Sequence, residues 1–185
     1  MDIKYKFDIY KSITLLKVIL SNFKDGVCDF HKLFKILYFA EQKHLLLYGR
    51  TITGDRYIAM KDGPVPSNIY DLLKTLRGDA IFSVSRDLSK EFNMLDSFNV
   101  QLKNRNIDND ILSESELECI AESIQDNGSL SFEELSEKSH DDAWKSAGKG
   151  NAIKISEIAK AGGANEELLK YIMEVSENKY YLALK

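Results

Sequence analysis

The sequence has few of the residues that usually mark a disulfide-rich, zinc-binding or general nucleic-acid-binding protein. It contains two cysteines, Cys28 and Cys119, which are too few for a disulfide framework or a typical structural zinc site. The formal net charge at pH 7 is −4, and lysine and arginine form no cluster, whereas a general nucleic-acid binder usually carries a basic face. These shortages argue against all three classes.

Long apolar runs are missing as well. No stretch approaches the roughly 20 apolar residues that a bilayer-spanning helix needs. The first residues include charged Asp2, Lys4 and Lys6, in place of the apolar region of a signal peptide. We therefore predict a cytoplasmic protein with no membrane partner. With 185 residues, 44% of them hydrophobic and 29% charged, we expect one globular domain spanning residues 1–185.

The most apolar stretch, Asp29 to Leu47, predicts the central helix of the fold. At about 100° per residue, six of its residues share one face. They are Leu33, Ile36, Leu37, Ala40, His44 and Leu47. Only a narrow polar arc remains, formed by His31, Lys35 and Gln42. A helix that is apolar over most of its circumference is usually buried on several sides, so we expect the other elements to pack around it.

The only two prolines, Pro64 and Pro66, follow this helix. Before them, Tyr57–Lys61 is short, aromatic and β-branched, which predicts a strand. Each proline disfavours a helical conformation at the preceding residue, and Pro66 or Ser67 can open the next helix. We interpret Asp62–Pro66 as a rigid connector that joins a strand to a helix.

The remaining chain predicts more helices and a small sheet. The stretch 81–102 contains three short extended pieces, IFSVS, FNML and FNVQL, which favour an antiparallel meander. The capping boxes Ser113-x-x-Glu116 and Ser131-x-x-Glu134 open a pair of helices. We therefore predict an α+β fold: a predominantly helical single domain around the buried central helix, with a small antiparallel β-sheet.

Few residues offer catalytic or metal-binding chemistry. His31 and His44 lie thirteen residues apart on one predicted helix, about 140° around its axis, so they cannot bind one metal ion together. We expect His44 to be a buried imidazole bonded to a carbonyl or to Glu41. Cys119 lies opposite the apolar face of its helix and is expected to be a surface thiol. Cys28 is expected to be a residue of the helix cap region.

The stretch His140-Asp141-Asp142 could bind a metal or act in acid–base catalysis. Adjacent residues on a helix diverge, however, and we prefer to interpret the stretch as a solvated helix end. No glycine-rich phosphate loop, paired-cysteine motif or serine-nucleophile elbow is present in the sequence. We predict no catalytic residue, no metal and no cofactor.

The proline-containing connector is the candidate partner-binding site. A stiff, partly apolar segment loses little conformational freedom when a partner binds, and aromatic, methionine and arginine side chains are enriched at interfaces. Trp144, the only tryptophan, is either a core anchor or an additional interface residue. The candidate partner-binding residues are Arg56, Tyr57, Met60, Lys61, Asp62, Gly63, Pro64, Val65, Pro66 and Trp144.

The segment Lys35–Lys74 and the later Trp-Lys-Ser-Ala run resemble the Panacea, or SocA-like, antitoxin domain. The shared motifs are a Leu-Tyr-Phe-Ala run, Gly-Arg, Gly-Asp, a Tyr-x-Ala-Met strand and Gly-Pro-Val-Pro. This resemblance implies a non-enzymatic antitoxin of a bacterial or phage toxin–antitoxin system. Its expected partner is a cognate protein toxin, which it would bind directly and block.

Two alternatives remain open. The protein could be a proteolytic adaptor that delivers a bound toxin to a Clp-type protease, as the resemblance also allows. It could instead be a small hydrolase centred on His44 or His140. We expect no nucleic-acid partner, because no DNA-binding extension precedes Tyr5 in the sequence. The residues predict neither the oligomeric state nor the identity of the toxin.

Overall fold

The computed structural model describes residues 5–79 and 88–182 of the chain, and these residues have the predicted α+β architecture. The helices are α1 (Ile9–Ser21), α2 (Phe30–Tyr48), α3 (Ser67–Arg77), α4 (Leu88–Glu91), α5 (Glu114–Asn127), α6 (Phe132–Ser139), α7 (Asp142–Ala147), α8 (Ile155–Ala161) and α9 (Glu166–Leu182). The strands are β1 (Val27–Asp29), β2 (Tyr57–Met60), β3 (Gly63–Pro66), β4 (Phe92–Met94) and β5 (Asn99–Leu102). Within the described ranges, none of the helices has both the length and the apolar character that a bilayer span requires.

Helix α2 is the centre of the fold, as its composition predicts. Asp29 caps its start by accepting a hydrogen bond from the Lys32 amide at 2.8 Å. Gly49 ends it in the left-handed conformation, with φ of 66°, where a glycine has no Cβ penalty. Between these ends the helix packs against α5, α6, α8 and β3. Leu47, predicted on the buried face, is instead exposed, because it lies at the end of the helix.

Two hydrophobic clusters lie against α2. The first joins α2 to α1, α3, α5 and a three-stranded sheet through residues such as Leu33, Ile36 and Ile13. The second joins α2 to β2, α8 and α9 and includes Tyr38 and Ile172. Because both clusters share α2, this helix is the rigid reference for everything that packs on it.

The three-stranded antiparallel sheet has the order β1-β5-β4. Strands β4 and β5 confirm two pieces of the predicted meander, and the first predicted piece, Ile81–Ser85, lies outside the described residues. The third strand of this sheet is β1, which precedes α2 and pairs with β5 from Val27 to Asp29. A three-residue strand is too short to show a hydrophobic period, which is why the sequence pattern does not predict it.

The segment interpreted as a connector is itself a strand. Gly63–Pro66 forms β3, which pairs with β2 as an antiparallel hairpin in which Tyr57 faces Pro66 and Ala59 faces Pro64. The backbone groups of Ala59 bond to residues 150 and 151, so they point away from β3. In antiparallel pairing its partner Pro64 then also points away from β2. The missing proline N–H therefore costs the hairpin no hydrogen bond.

The predicted helix faces need two corrections. Lys35, assigned to a solvated polar arc, is only 1% exposed, and Cys119, assigned to the surface, is buried in the first hydrophobic cluster. These errors have one cause, because a helix packed on several sides has no face from which solvent exposure can be read. The capping boxes at Ser113 and Ser131 are confirmed.

Candidate partner-binding site

The turn of the β2–β3 hairpin, residues Met60–Gly63, is held by side chains from α2 and α7; we call this segment the hairpin tip. The indole Nε1–H of Trp144 donates a hydrogen bond to the Met60 carbonyl at 2.9 Å. The ring Nε2 of His31 lies 3.1 Å from the Asp62 carbonyl oxygen. Both ends of the turn are therefore anchored through their backbone, which leaves the tip side chains free.

A second donor from α2 supports the strand behind the tip. The buried ammonium group of Lys35 donates to the Pro64 carbonyl at 3.2 Å. Residues four apart on a helix are separated by about 6 Å along its axis, and residues two apart on a strand by about 6.6 Å. This match lets His31 and Lys35 bond to the carbonyls of Asp62 and Pro64 at the same time.

Burial lowers the pKa of both donors. It lowers the pKa of His31, and the nearby Lys35 lowers it further, so the imidazole is neutral at pH 7. The same Nε2 lies 3.0 Å from the Ser136 hydroxyl, which is itself 3.5 Å from the Asp62 carbonyl oxygen. Because a carbonyl can only accept, the contact between His31 and Asp62 is a hydrogen bond in the tautomer that carries its proton on Nε2. Burial also lowers the pKa of Lys35 to about 8, with Asp62 and Asp29 acting in the opposite direction. At pH 7 the Lys35 donor is still predominantly charged.

Two stacked ring pairs flank the tip. His31 stacks on Phe132, the first residue of α6, with ring centroids 3.8 Å apart. His140 stacks on Trp144 with centroids 3.9 Å apart. Phe132 is 47% exposed and Met60 is 45% exposed. The tip and its flank thus expose two large apolar side chains, Met60 and Phe132.

The candidate residues from the sequence divide by burial. Arg56, Met60, Lys61 and Asp62 are exposed, and Val65 and Trp144 are partly exposed. The other candidates are buried: Tyr57, Gly63, Pro64 and Pro66. In this conformation the buried ones shape the hairpin and do not offer a surface to a partner.

Tyr57 shows this shaping role most clearly. It was predicted to offer apolar contact to a partner, but it is only 2% exposed. Its ring packs against Tyr38 of α2 with centroids 5.4 Å apart. The alternation of inward and outward side chains along β2 explains the difference, because Tyr57 and Ala59 face inward while Met60 faces outward.

Gly63 has a steric requirement at the tip. Its φ is +108°, and a Cβ there would lie 2.3 Å from the Ser139 hydroxyl and 2.6 Å from Lys35 Cε. A side chain would therefore displace the lysine that holds β3. The glycine of the Gly-Pro-Val-Pro run is needed for this close approach between strand and helix.

Sequence patterns do not predict four residues as part of this partner-binding site. They are His31, Phe132, Ser136 and His140. Phe132 left a weak signal, because a large apolar residue precedes two glutamates at the start of a helix. The others have no local signal, since their roles arise from contacts between α2, α6 and α7.

Two buried acidic side chains, Glu41 and Asp55, hold the other end of the hairpin, which we call its base. Glu41 of α2 accepts hydrogen bonds from the amides of Ile52 and Thr53 at 2.6 and 2.9 Å. Asp55 accepts from the amides of Asn68 and Ile69 at 3.0 and 2.9 Å and so caps α3 from outside. Ser67, expected as a possible cap, is the first residue of that helix.

His44 and Ser115 form the arrangement closest to a nucleophile–base pair. His44 Nδ1–H donates to the Arg50 carbonyl at 2.7 Å, which confirms the expected carbonyl bond, and Nε2 lies 3.3 Å from the Ser115 hydroxyl. The imidazole has no solvent-exposed surface, and Ser115 also bonds to Ser113. The pair connects the end of α2 to the start of α5.

The other titratable candidates have structural contacts. Cys28 is buried in β1, and burial raises its pKa to about 12, so it is not a reactive thiolate at neutral pH. Asp141 belongs to the stretch interpreted as solvated. It instead caps α7 through the Trp144 amide and accepts from the Tyr38 hydroxyl at 2.8 Å. In the described part of the chain, no group of three or more histidine, cysteine or acidic residues could hold a metal ion.

The hairpin and the helices around it lie in a segment that matches a known protein family. Residues 33–145 match the family described as antitoxin SocA-like, Panacea domain. The chain belongs to this family. The Panacea match runs from α2 into α7 and contains the whole hairpin, together with Lys35 and Trp144. It supports an antitoxin role, implies a toxin as the kind of partner and indicates a non-enzymatic role. No curated protein and no solved structure matches the chain.

Proposed function

We propose that this Panacea-domain protein neutralises a cognate protein toxin by binding it directly through the tip surface, defined as Met60, Lys61, Asp62, Phe132 and Trp144. The observation that carries the proposal is the anchored but exposed hairpin tip. Its backbone is held by Trp144 and His31, while Met60 and Phe132 are nearly half exposed. A surface ordered in advance loses little conformational freedom on binding.

Of the two basic candidate residues, Lys61 and Arg56, only Lys61 lies at the tip. Lys61 is exposed at the tip and suits an acidic rim on the toxin. Arg56 is exposed too, but it precedes β2 at the opposite end of the hairpin, about 13 Å from Met60 at 3.3 Å per residue. We therefore leave Arg56 outside the tip surface and expect its substitution to have little effect on toxin binding.

Binding to the product of the neighbouring gene tests the proposal. The Met60→Asp and Phe132→Asp variants should each bind this toxin at least tenfold more weakly. Burying one such apolar side chain contributes about 1.5–3 kcal/mol, and about 1.4 kcal/mol corresponds to a factor of ten. Calorimetric titration gives the affinities, and growth rescue on co-expression gives the neutralisation.

Leu95→Asp is the matched control, because Leu95 is 51% exposed at the β4–β5 turn and lies outside the tip surface. Its affinity for the toxin should equal that of the wild type. A folded Met60→Asp variant with unchanged affinity would move the interface elsewhere. A neighbouring gene product that is harmless when expressed alone would remove the main support for the antitoxin role.

The fate of the bound toxin separates two modes of neutralisation. Blocking leaves the amount of toxin in the cell unchanged while its effect disappears. Delivery to a Clp-type protease instead lowers the amount of toxin, and a strain without that protease would not be rescued. We propose blocking, and immunoblotting of the toxin during growth rescue distinguishes the two.

A further inference from the structure

We propose that His31 and Lys35 are positioning residues for the tip surface: by holding the carbonyls of Asp62 and Pro64, they set the orientation in which Met60 and Lys61 meet the toxin. This inference rests on the proposed function and assigns a role to two side chains of α2. Lys35 is buried and lies outside any possible contact surface.

The carbonyls of Asp62 and Pro64 both point away from β2. Ala59 bonds through its backbone to residues 150 and 151, so Pro64 opposite it points away from β2. Asp62 lies two residues earlier and points to the same side. Both carbonyls therefore face α2, and β2 cannot supply their donors.

The outer edge of β3 is suited to a helix and not to another strand. Pro64 and Pro66 have no N–H groups, so another strand could not pair regularly with this edge. Helix α2 lies directly against it and presents donors at the matching spacing. These two bonds tie the hairpin to α2, which is packed in both hydrophobic clusters.

The two donors differ in how deeply their hydrogen bonds are buried. The Pro64 carbonyl receives its bond in a buried environment, so loss of Lys35 would leave a buried acceptor unsatisfied, at a cost in stability. The bond to the Asp62 carbonyl lies at the surface, where water or the Ser136 hydroxyl, 3.5 Å from the same oxygen, can replace the donor. His31 therefore contributes to the position of the tip more than to the stability of the fold, which makes it the better residue to test.

A matched pair of variants tests this role. His31→Phe keeps a ring against Phe132 but removes the N–H donor. His31→Gln removes the ring and keeps an N–H at a similar reach. Amide hydrogen exchange across 60–63 reports the order of the tip, and calorimetric titration with the co-encoded toxin reports affinity.

We expect His31→Phe to increase exchange in the tip and to weaken toxin binding about fivefold, the effect of one hydrogen bond. His31→Gln should stay close to the wild type in both measurements, a rescue that a ring-packing role would not show. Unchanged affinity in His31→Phe with a loosened tip would overturn the proposal, and so would equal losses in both variants. Neither outcome affects the proposed function, because that is decided by the wild-type complex and by Met60→Asp.

Discussion

The two ends of the hairpin are held by opposite chemistry. At the tip, His31 and Lys35 donate to backbone carbonyls. At the base, Glu41 and Asp55 accept from backbone N–H groups. Three of these four residues belong to α2, so this largely apolar helix supplies polar partners for backbone groups of the hairpin and of the segment before it.

The difference between the ends lies in the number of bonds and in burial. Asp55 accepts four hydrogen bonds, from three amides and the Asn68 side chain. Each tip donor serves one carbonyl of the hairpin, and only the Pro64 carbonyl is bonded in a buried environment. We infer that the base contributes more to stability and the tip more to the geometry of the exposed surface.

The largest expected effect on stability comes from removing the Asp55 carboxyl group at the base of the hairpin. Asp55→Ala removes the external cap of α3 and leaves several amides without an acceptor, so we expect the free energy of unfolding to fall by about 4 kcal/mol. Urea denaturation followed by circular dichroism measures it. Asp71→Ala in the same helix removes only a partly exposed carboxylate paired with Lys74, and it should change stability by less than about 1 kcal/mol. Similar losses of unfolding free energy in Asp55→Ala and Asp71→Ala would contradict a special role of the base in stability.

The base and the tip also differ in how far they could be predicted. Periodicity and capping signals predict α2, the helices at Ser113 and Ser131, and strand β2, because those signals lie within a few residues of each other. The family motifs mark the Gly-Asp and Gly-Pro-Val-Pro positions without their mechanism. Asp55 caps a helix thirteen residues away, and no local pattern contains that information.

The wrong prediction for Lys35, placed on a polar arc by the sequence but buried in the structure, has a physical reason. A helical wheel separates apolar from polar residues, but it cannot distinguish water from a strand edge as the partner of a polar side chain. The carbonyls of a proline-containing strand need donors, and Lys35 supplies one although it is buried. The tip contacts of Phe132 and His140 depend in the same way on the packing of α6 and α7.

A smaller effect is expected in the pH dependence of stability, through the buried Lys35 behind the tip. Lys35 has a pKa of about 8 in the folded chain against an ordinary 10.5, so between these values the folded state binds fewer protons than the unfolded state. Stability contributed by this group therefore rises with pH across the window. Relative to Lys35→Met, the wild type should gain about 3 kcal/mol between pH 8 and 10.5.

Urea titrations of the wild type and Lys35→Met at several pH values measure this gain, and their difference cancels groups common to both proteins. The charged or titratable groups near Lys35 are His31, Asp29 and Asp62. Burial lowers the pKa of His31, so its titration lies below this window, and we assign the pH-dependent difference to Lys35. A pH-independent difference would show that the ammonium group is well solvated, contrary to its burial.

The smallest expected effect concerns the stability of His31→Phe. The Asp62 carbonyl accepts from a partly exposed imidazole, and water can take the place of that donor, while the new ring can still stack on Phe132. We therefore expect the free energy of unfolding to change by less than about 1 kcal/mol, measured by urea denaturation at pH 7. This small change, set beside the large loss in Asp55→Ala, would separate an anchor that orients the tip from one that maintains the fold. A loss as large as that of Asp55→Ala would instead make both ends of the hairpin equally structural.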